Sequence, residues 1–463
     1  MAHARWNRKD FDPDLLVERL ERLRIPDDGS GSVGFRGDLF FEDVVSVIQR
    51  ATVFTVPMPE SEGRRIVGRA LFSAARAGAL TVGSLIGEIN RGAKGFAEAP
   101  EREFVLATSV SVRYFPVLVD TDVAECKISF GRLLPEHLRP GHETAMERTR
   151  RFVFGEYPDQ GSLLGHYTAV WVAVRGRSGY EAAASALAAL DLLRGIWNLA
   201  LNRRRWSRTT SKRRTPVNGV LLGPVHSLHN PDGGLASEAD WYEYDYVEPT
   251  QSNELKRRWE HVRRNESGTW ACLDRSLYRP ELEDAIRRYT RALDTREWDV
   301  AFVQLWGYSK TSRGPSPAIP IPSRSSAPPS STQSQSETCT CRSSTTSKDY
   351  RNRSVHGGEG SEGIEAYLYQ LKRYVEEVLV FHLRGGHEFL SVEEASRFLD
   401  QPTRRPSKGR SRTYGRTSRS GRPRSSWPRR LGSSTVARDP DGWLRVSSVK
   451  SHWIAVGKNV LPY

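Results

Sequence analysis

The sequence predicts an α+β protein, with a mixed α/β N-terminal domain over residues 1–250 and an all-α helical bundle over residues 279–402. Two kinds of periodicity carry this. Val110, Val112 and Tyr114 alternate at the period of a half-buried strand, and Tyr167 to Arg175 is an apolar run of strand length. Residues 281–294 and 363–383 instead repeat apolar positions every three or four residues, as a helix with one buried face does. A third observation divides the chain. Residues 309–348 hold 25 Ser, Thr or Pro in 40 positions, and no apolar period survives there to specify an element.

In chain order, Asp12-Pro13 opens a helix carrying Leu15, Leu16, Leu20 and Leu23, which Pro26 closes. Strands are expected over 104–119, 124–130 and 167–175. The last feeds a helix over 180–202 with Leu187, Leu190 and Trp197 on one face. Strands over 218–225 and 241–247 flank the loop signal Pro231-Asp-Gly-Gly234. Next comes a helix over 281–294, striped by Leu282, Ala285, Ile286, Tyr289 and Leu293. Another begins near Glu297, with Val300, Phe302, Val303, Leu305 and Trp306 as its apolar positions. The long helix over 363–383 buries Ile364, Tyr367, Leu368, Leu371, Val375, Val378 and Leu379, leaving Glu376 and Glu377 on its solvent face. Ser391-Val-Glu-Glu394 is a capping signature for one last short helix. There is no internal repeat.

A formal charge of +14 and a pI of about 9.7 would ordinarily point to a nucleic-acid binder. Residues 403–463 carry +13 of that charge and residues 309–348 carry +4, so the remainder stands at −3. Bulk charge is therefore no argument for RNA binding by the folded body. Both basic segments lack a face to bury. Either they are a disordered insertion and tail, or they are translated out of frame, and reading the other two frames of the gene distinguishes the two. Four scattered cysteines make no disulfide framework and fit a reducing compartment. The first ten residues are polar and charged, unlike a signal peptide. The apolar stretch 182–201 is interrupted by Asp191 and Arg194, which marks a packed helix and not a membrane span. A cytoplasmic protein without membrane contact is expected.

The most informative chemistry lies just ahead of the long helix. Lys348-Asp-Tyr-Arg-Asn-Arg-Ser-Val-His-Gly-Gly358 sets Arg351, Asn352 and His356 within six residues. Arginine offers a permanent planar cation for phosphate oxygens, and histidine takes up and returns a proton near neutral pH. Metal-free RNA cleavage needs both: a proton leaves the 2′-hydroxyl, another reaches the 5′-oxygen, and charge on the phosphorus oxygens is neutralised. Asn352 does not titrate and suits an orienting hydrogen bond. The competing reading has Arg351 and His356 capping and pairing within a helical turn.

With Tyr350, Gly357-Gly358 and both flanking helices, this string resembles the Apea-like branch of the HEPN (higher eukaryotes and prokaryotes nucleotide-binding) superfamily, over roughly residues 279–402. The resemblance implies a HEPN-like helical bundle acting as a metal-independent endoribonuclease, commonly a homodimer that brings two motifs into one cleft. It carries Arg351, Asn352 and His356 over as catalytic residues and points to a toxin or phage-defence effector, with an antitoxin or defence partner. Many members of such a superfamily bind nucleotide, RNA or protein without cutting, and that is the alternative. The chain departs from the family at residues 309–348, where the bundle needs a helix. Leu187 to Arg194 and Gly223 to His229 also resemble the N-terminal region accompanying this branch.

Two further places were weighed as RNA contacts. Arg353 is placed for phosphate, with a solvated arginine as the bland account. Arg203, Arg204, Arg205, Arg208, Lys212, Arg213 and Arg214 surround Trp206, a composition that holds backbone and stacks a base, against a solvated loop. His226 and His229 lack a third nearby ligand and read as structural, so no metal and no cofactor is expected.

Overall fold

A computed structural model describes residues 3–25, 34–35, 41–78, 80–112, 118–149, 167–203, 205, 215–237, 241–243, 258–311, 363–399, 437–438 and 444–445. Together they form two compact units. Unit 1 comprises Met1–Asn202 with Thr215–Arg263, and unit 2 comprises Arg203–Arg214 with Arg264–Tyr463. The fold class is α+β, with the sheet in unit 1 and a group of long helices in unit 2.

Unit 1 begins with helices α1 (Pro13–Leu23), α2 (Phe41–Arg50), α3 (Glu60–Arg76) and α4 (Val82–Glu98). Asp12 caps α1, its carboxylate accepting from the amides of Asp14 and Leu15, and Pro13 occupies the first helical position. Leu20 is buried, whereas Leu15 faces solvent. The short strands β1 (Ala4–Trp6) and β4 (Thr52–Phe54) pair antiparallel, as do β2 (Arg24–Ile25) and β3 (Gly34–Phe35). The four helices close over a core that includes Val44, Ile48, Val67, Leu71, Leu85 and Ile89.

The main sheet has six antiparallel strands: β5 (Arg102–Val110), β6 (Thr121–Val123), β7 (Cys126–Gly131), β8 (Thr168–Gly176), β9 (Val225–His229) and β10 (Trp241–Tyr242). Their order is β10-β9-β5-β8-β7-β6. Helix α5 (Arg139–Thr149) packs on β9, and α6 (Gly179–Asn202) packs on β5 through β8. By length and composition α6 could cross a membrane, but its apolar stretch is 67% buried within the protein. Asp191 and Arg194 explain the difference. They form an ion pair at 2.6 Å inside the core, as expected of a packed helix.

Three strand expectations change. The strand expected over 104–119 is β5, which ends at Val110, and residues 118–120 are not strand. Residues 218–222 do not continue β9. Gly219 and Val220 lie over α6, where the Asn198 side chain donates to Val220 O and accepts from both amides, whereas Leu221 to Gly223 bond along the end of β5, with Leu222 forming an isolated bridge to Val110. Gly223 then passes so close to β5 that a Cβ would lie 2.1 Å from Ser109 Oγ. The strand expected to start at Ala124 starts at Cys126 instead, because Ala124 and Glu125 form the two-residue turn between β6 and β7.

Unit 2 contains α8 (Arg279–Asp294), α9 (Trp298–Thr311), α10 (Ile364–Gly385) and α11 (Val392–Leu399), while α7 (Trp259–Arg275) begins in unit 1 and ends in unit 2. Helices α8, α9 and α10 pack on one another through Leu282, Ile286, Phe302, Leu305, Leu368, Val375 and Leu379. Val300, expected on the buried stripe, is 45% exposed. Ser391 accepts from the amide of Glu394, whose carboxylate reaches back to the amide of Leu390.

The β6–β7 turn yields a stability prediction. Ala124 and Glu125 both have positive φ, 48° and 66°, as a type I′ turn requires, yet neither is the Asn or Gly that tolerates it. Replacing the pair by Asn-Gly should stabilise the protein by about 1 kcal/mol, since left-handed backbone costs an ordinary residue roughly that much. A lower thermal midpoint in the Ala124→Asn/Glu125→Gly variant would refute this account of the turn.

Candidate functional site

Arg351, Asn352, Arg353 and His356 lie outside the described residues, as do Arg204, Trp206, Arg208, Lys212, Arg213 and Arg214. The structure does describe the two helices that bound the motif in sequence, α9 ending at Thr311 and α10 beginning at Ile364. Gly363 precedes α10 with φ 96°, a left-handed value that suits glycine.

Of the basic run, Arg203 and Arg205 are described, and both belong to unit 2. Arg203 Nη2 sits 3.4 Å from Glu377 Oε1 on α10. Arg203 thus docks on the side of α10 that carries Glu377. Lys372, also on α10, has its ammonium's proton affinity lowered by burial, with the Arg205 charge adding to it.

Beneath this charged side lies a buried polar group that corrects the expected solvent face. Glu376 is 3% exposed, and Glu377 is only half-buried. Tyr289 Oη on α8 donates to Glu376 Oε1 at 2.5 Å, and Lys372 Nζ approaches the two Glu376 oxygens at 3.0 and 3.1 Å. Burial pulls Lys372 below its ordinary value and pushes Glu376 above its own, each opposed by the other's charge. An i,i+4 Lys–Glu pair looks the same in sequence whether it faces water or the core. Tyr289 on the apolar stripe of α8 was the one sign that a polar partner would be needed.

Unit 1 holds a second polar cluster. His229 Nδ1 lies 2.9 Å from the carbonyl of Gly233, which accepts its proton and leaves Nε2 to accept from the Ser227 hydroxyl at 2.8 Å. Ser227 in turn takes a proton from Nδ1 of His142 at 2.7 Å. The positive φ of Gly233, 94°, aims that carbonyl, and a Cβ there would strike His137 O at 2.2 Å. Burial lowers His142 to about 4, with the fields of His229 and His226 adding to it. Burial likewise lowers His229, against the bond to Gly233. His226 bonds Thr108 Oγ1 at 2.6 Å and Glu243 at 3.1 Å. Ser227, His226 and His229 are all almost fully buried, and their polar atoms are used within the protein. This is the chemistry of a tied-down sheet end, and among the described residues no group of three or more His, Cys, Asp or Glu is arranged to hold a metal ion.

No family model, curated protein or solved structure matches the chain.

The buried pair in unit 2 sets up a double-mutant test. Removing one partner leaves the other charge without compensation, so Glu376→Ala should cost about 3–5 kcal/mol in denaturant unfolding. The double variant Lys372→Met/Glu376→Leu should recover most of that loss. Equal losses in the single and double variants would contradict the pairing.

The histidines make stability depend on pH. Desolvation holds His382, buried in α10, and His142, half-buried in α5, at about 4, against 6.5 for an ordinary imidazole. Between these values the unfolded chain binds more protons, so stability is complete above pH 6.5 and falls as the pH drops toward 4. His382→Phe should shallow that decline in thermal midpoints measured across the window. An unchanged slope would remove His382 from the account.

Proposed function

We propose that the protein is a metal-independent endoribonuclease of HEPN type, with Arg351, Asn352 and His356 as its reacting group. The observation that carries the reading is the motif itself, Arg-Asn-x-x-x-His followed by Gly-Gly directly before a long helix. Its setting supports it, because the helices on either side in sequence, α9 and α10, pack together with α8. So does the chemistry of the side chains, which supplies one titrating base and one phosphate cation without a metal.

In this mechanism His356 takes the proton from a 2′-hydroxyl as that oxygen attacks phosphorus. The bond to the 5′-oxygen breaks, and the leaving oxygen receives a proton. Arg351 stabilises the charge on the phosphorane, and Asn352 orients one of the two. The products are a 2′,3′-cyclic phosphate and a 5′-hydroxyl end. One histidine per chain serves one proton transfer at a time, so a homodimer with two motifs across a twofold axis completes the acid–base pair. The substrate is RNA, and an antitoxin or defence protein is the expected protein partner.

The test is cleavage of single-stranded RNA in EDTA. Wild-type protein should cut, and His356→Ala and Arg351→Ala should each lower the rate by about 10² to 10⁴. Activity lost with the chelator, or retained in His356→Ala, would rule out this mechanism. Binding without cutting would identify a non-catalytic RNA-binding module.

A further inference from the structure

Helix α5 rests on β9 with little apolar surface. Along its length only Ala145 and Thr149 are buried, with Leu138 added just ahead of it. What joins it to the sheet is a chain of hydrogen bonds whose direction is fixed at one end. The carbonyl of Gly233 can only accept, so His229 Nδ1 carries the proton in that bond. His229 Nε2 therefore accepts from the Ser227 hydroxyl, which in turn accepts from Nδ1 of His142 on α5. The helix comes so close here that a Cβ on Gly141 would lie 2.8 Å from Cε1 of His229.

Added acid breaks the order of this chain. A proton on His229 Nε2 makes that nitrogen a donor, so Ser227 would receive from both rings while its own O–H lost its acceptor. Burial holds His142 at about 4 and lowers His229 as well, so both rings are neutral near neutral pH. Among the described residues no carboxylate is bonded to His142, Ser227 or His229 to steady a charge there. The charged groups nearby are engaged elsewhere or turned outward. His137, exposed ahead of α5, faces His229 and adds repulsion once protonated. His226, whose field reaches His142, is held by Thr108 of β5 and by Glu243, which follows Tyr242 of β10. Glu103 on β5 pairs with Arg175, and Asp232 accepts from the amide of Gly234. On α5 itself Arg139, Glu143 and Glu147 are exposed and Arg148 is half-buried.

We infer that α5 is an acid-released latch: as pH falls below neutrality His142 and His229 take up protons, the chain through Ser227 breaks, and α5 leaves β9 while the rest of unit 1 stays folded. The sign follows from the docked state binding fewer protons. Release lets each ring return toward an ordinary imidazole's 6.5, so below that pH it is favoured by up to about tenfold per pH unit for each histidine. A helix of 11 residues is marginal in water by itself, so an undocked α5 melts. The face of β9 that carries Ser227 and His229 is then open to solvent. This latch belongs to unit 1 and is independent of the RNase reading.

Amide hydrogen exchange of the full chain, read by peptide mass spectrometry from about pH 7.5 to about pH 5, follows the release once rates are corrected for the intrinsic pH dependence of exchange. Protection of α5 should be lower than that of α4 throughout, and below pH 6.5 it should fall by about tenfold to a hundredfold per pH unit. An α5 protection that ignores pH, or one equal to that of α4 at every pH, would overturn the latch, the second because α5 would then open only with the whole unit. His142→Asn keeps a side-chain donor toward Ser227 but cannot titrate. Whatever it does to the level of protection, it should lower the steepness for α5 by about tenfold per pH unit. A steepness equal to wild type in that variant would also overturn the inference, since a purely structural His142 leaves proton uptake unchanged.

Discussion

A guanidinium with no exposed surface governs unit 1. Arg194 lies inside α6, and burying a cation is tolerable only where every donor is engaged. Asp191 takes two of its bonds, at 2.6 and 2.9 Å, and the carbonyl of Val220 takes a third at 3.3 Å. That carbonyl belongs to the segment over α6 which Asn198 also holds at both its amides and its carbonyl. The segment leads through Gly223 into β9, and β9 carries His226, Ser227 and His229. Charge satisfaction on one helix thus anchors the segment that leads into β9, the strand paired between β10 and β5. Apolar burial supplies the driving force for this unit, but it is indifferent to register, whereas these directional bonds are not.

Unit 2 applies the same logic at lower symmetry. The Lys372–Glu376 pair gains from Tyr289 a bond that only one rotation of α10 against α8 allows. Fixing that rotation fixes which side of α10 turns outward, and therefore where Arg373 and Arg384 point. A polar group in a bundle core that costs desolvation energy thereby gives the helix a defined outer face, a specificity role known for buried polar residues in other helical assemblies.

Much of this was legible in the sequence where period and length agreed. The long helices at 179–202, 279–294 and 364–385 and the strand at 168–176 lie within a residue or two of expectation at each end, whereas the strand expected over 104–119 runs from 102 to 110. Helices α2 through α5 and α7 are not marked in the sequence, since their stripes are short or diluted by small and charged residues. Residues 218–222 look like one strand because Val220 and Leu222 are buried, yet only Leu222 bridges β5, while Gly219 and Val220 bond instead to the Asn198 side chain on α6. Glu376 looked like surface because local sequence does not reveal that a tyrosine 87 positions earlier will donate to it. The Arg351–His356 motif lies outside the described residues. The described part adds the two helices that flank it in sequence and the Arg203–Glu377 pair, which local sequence could not reveal because the partners lie 174 positions apart.

The division of the chain has a practical meaning for anyone taking the protein apart. Unit 2 claims residues 203–214 from within the sequence of unit 1, so the helical unit has no single starting point. A fragment cut at Arg264 would contain all the helices after the boundary but would lack Arg203 and Arg205. Its Glu377 would lose its arginine, and the sign of the charge along α10 would shift toward neutral. The two units are thus not interchangeable modules joined end to end. Inheritance or engineering must move them together, or else supply the missing dozen residues from elsewhere.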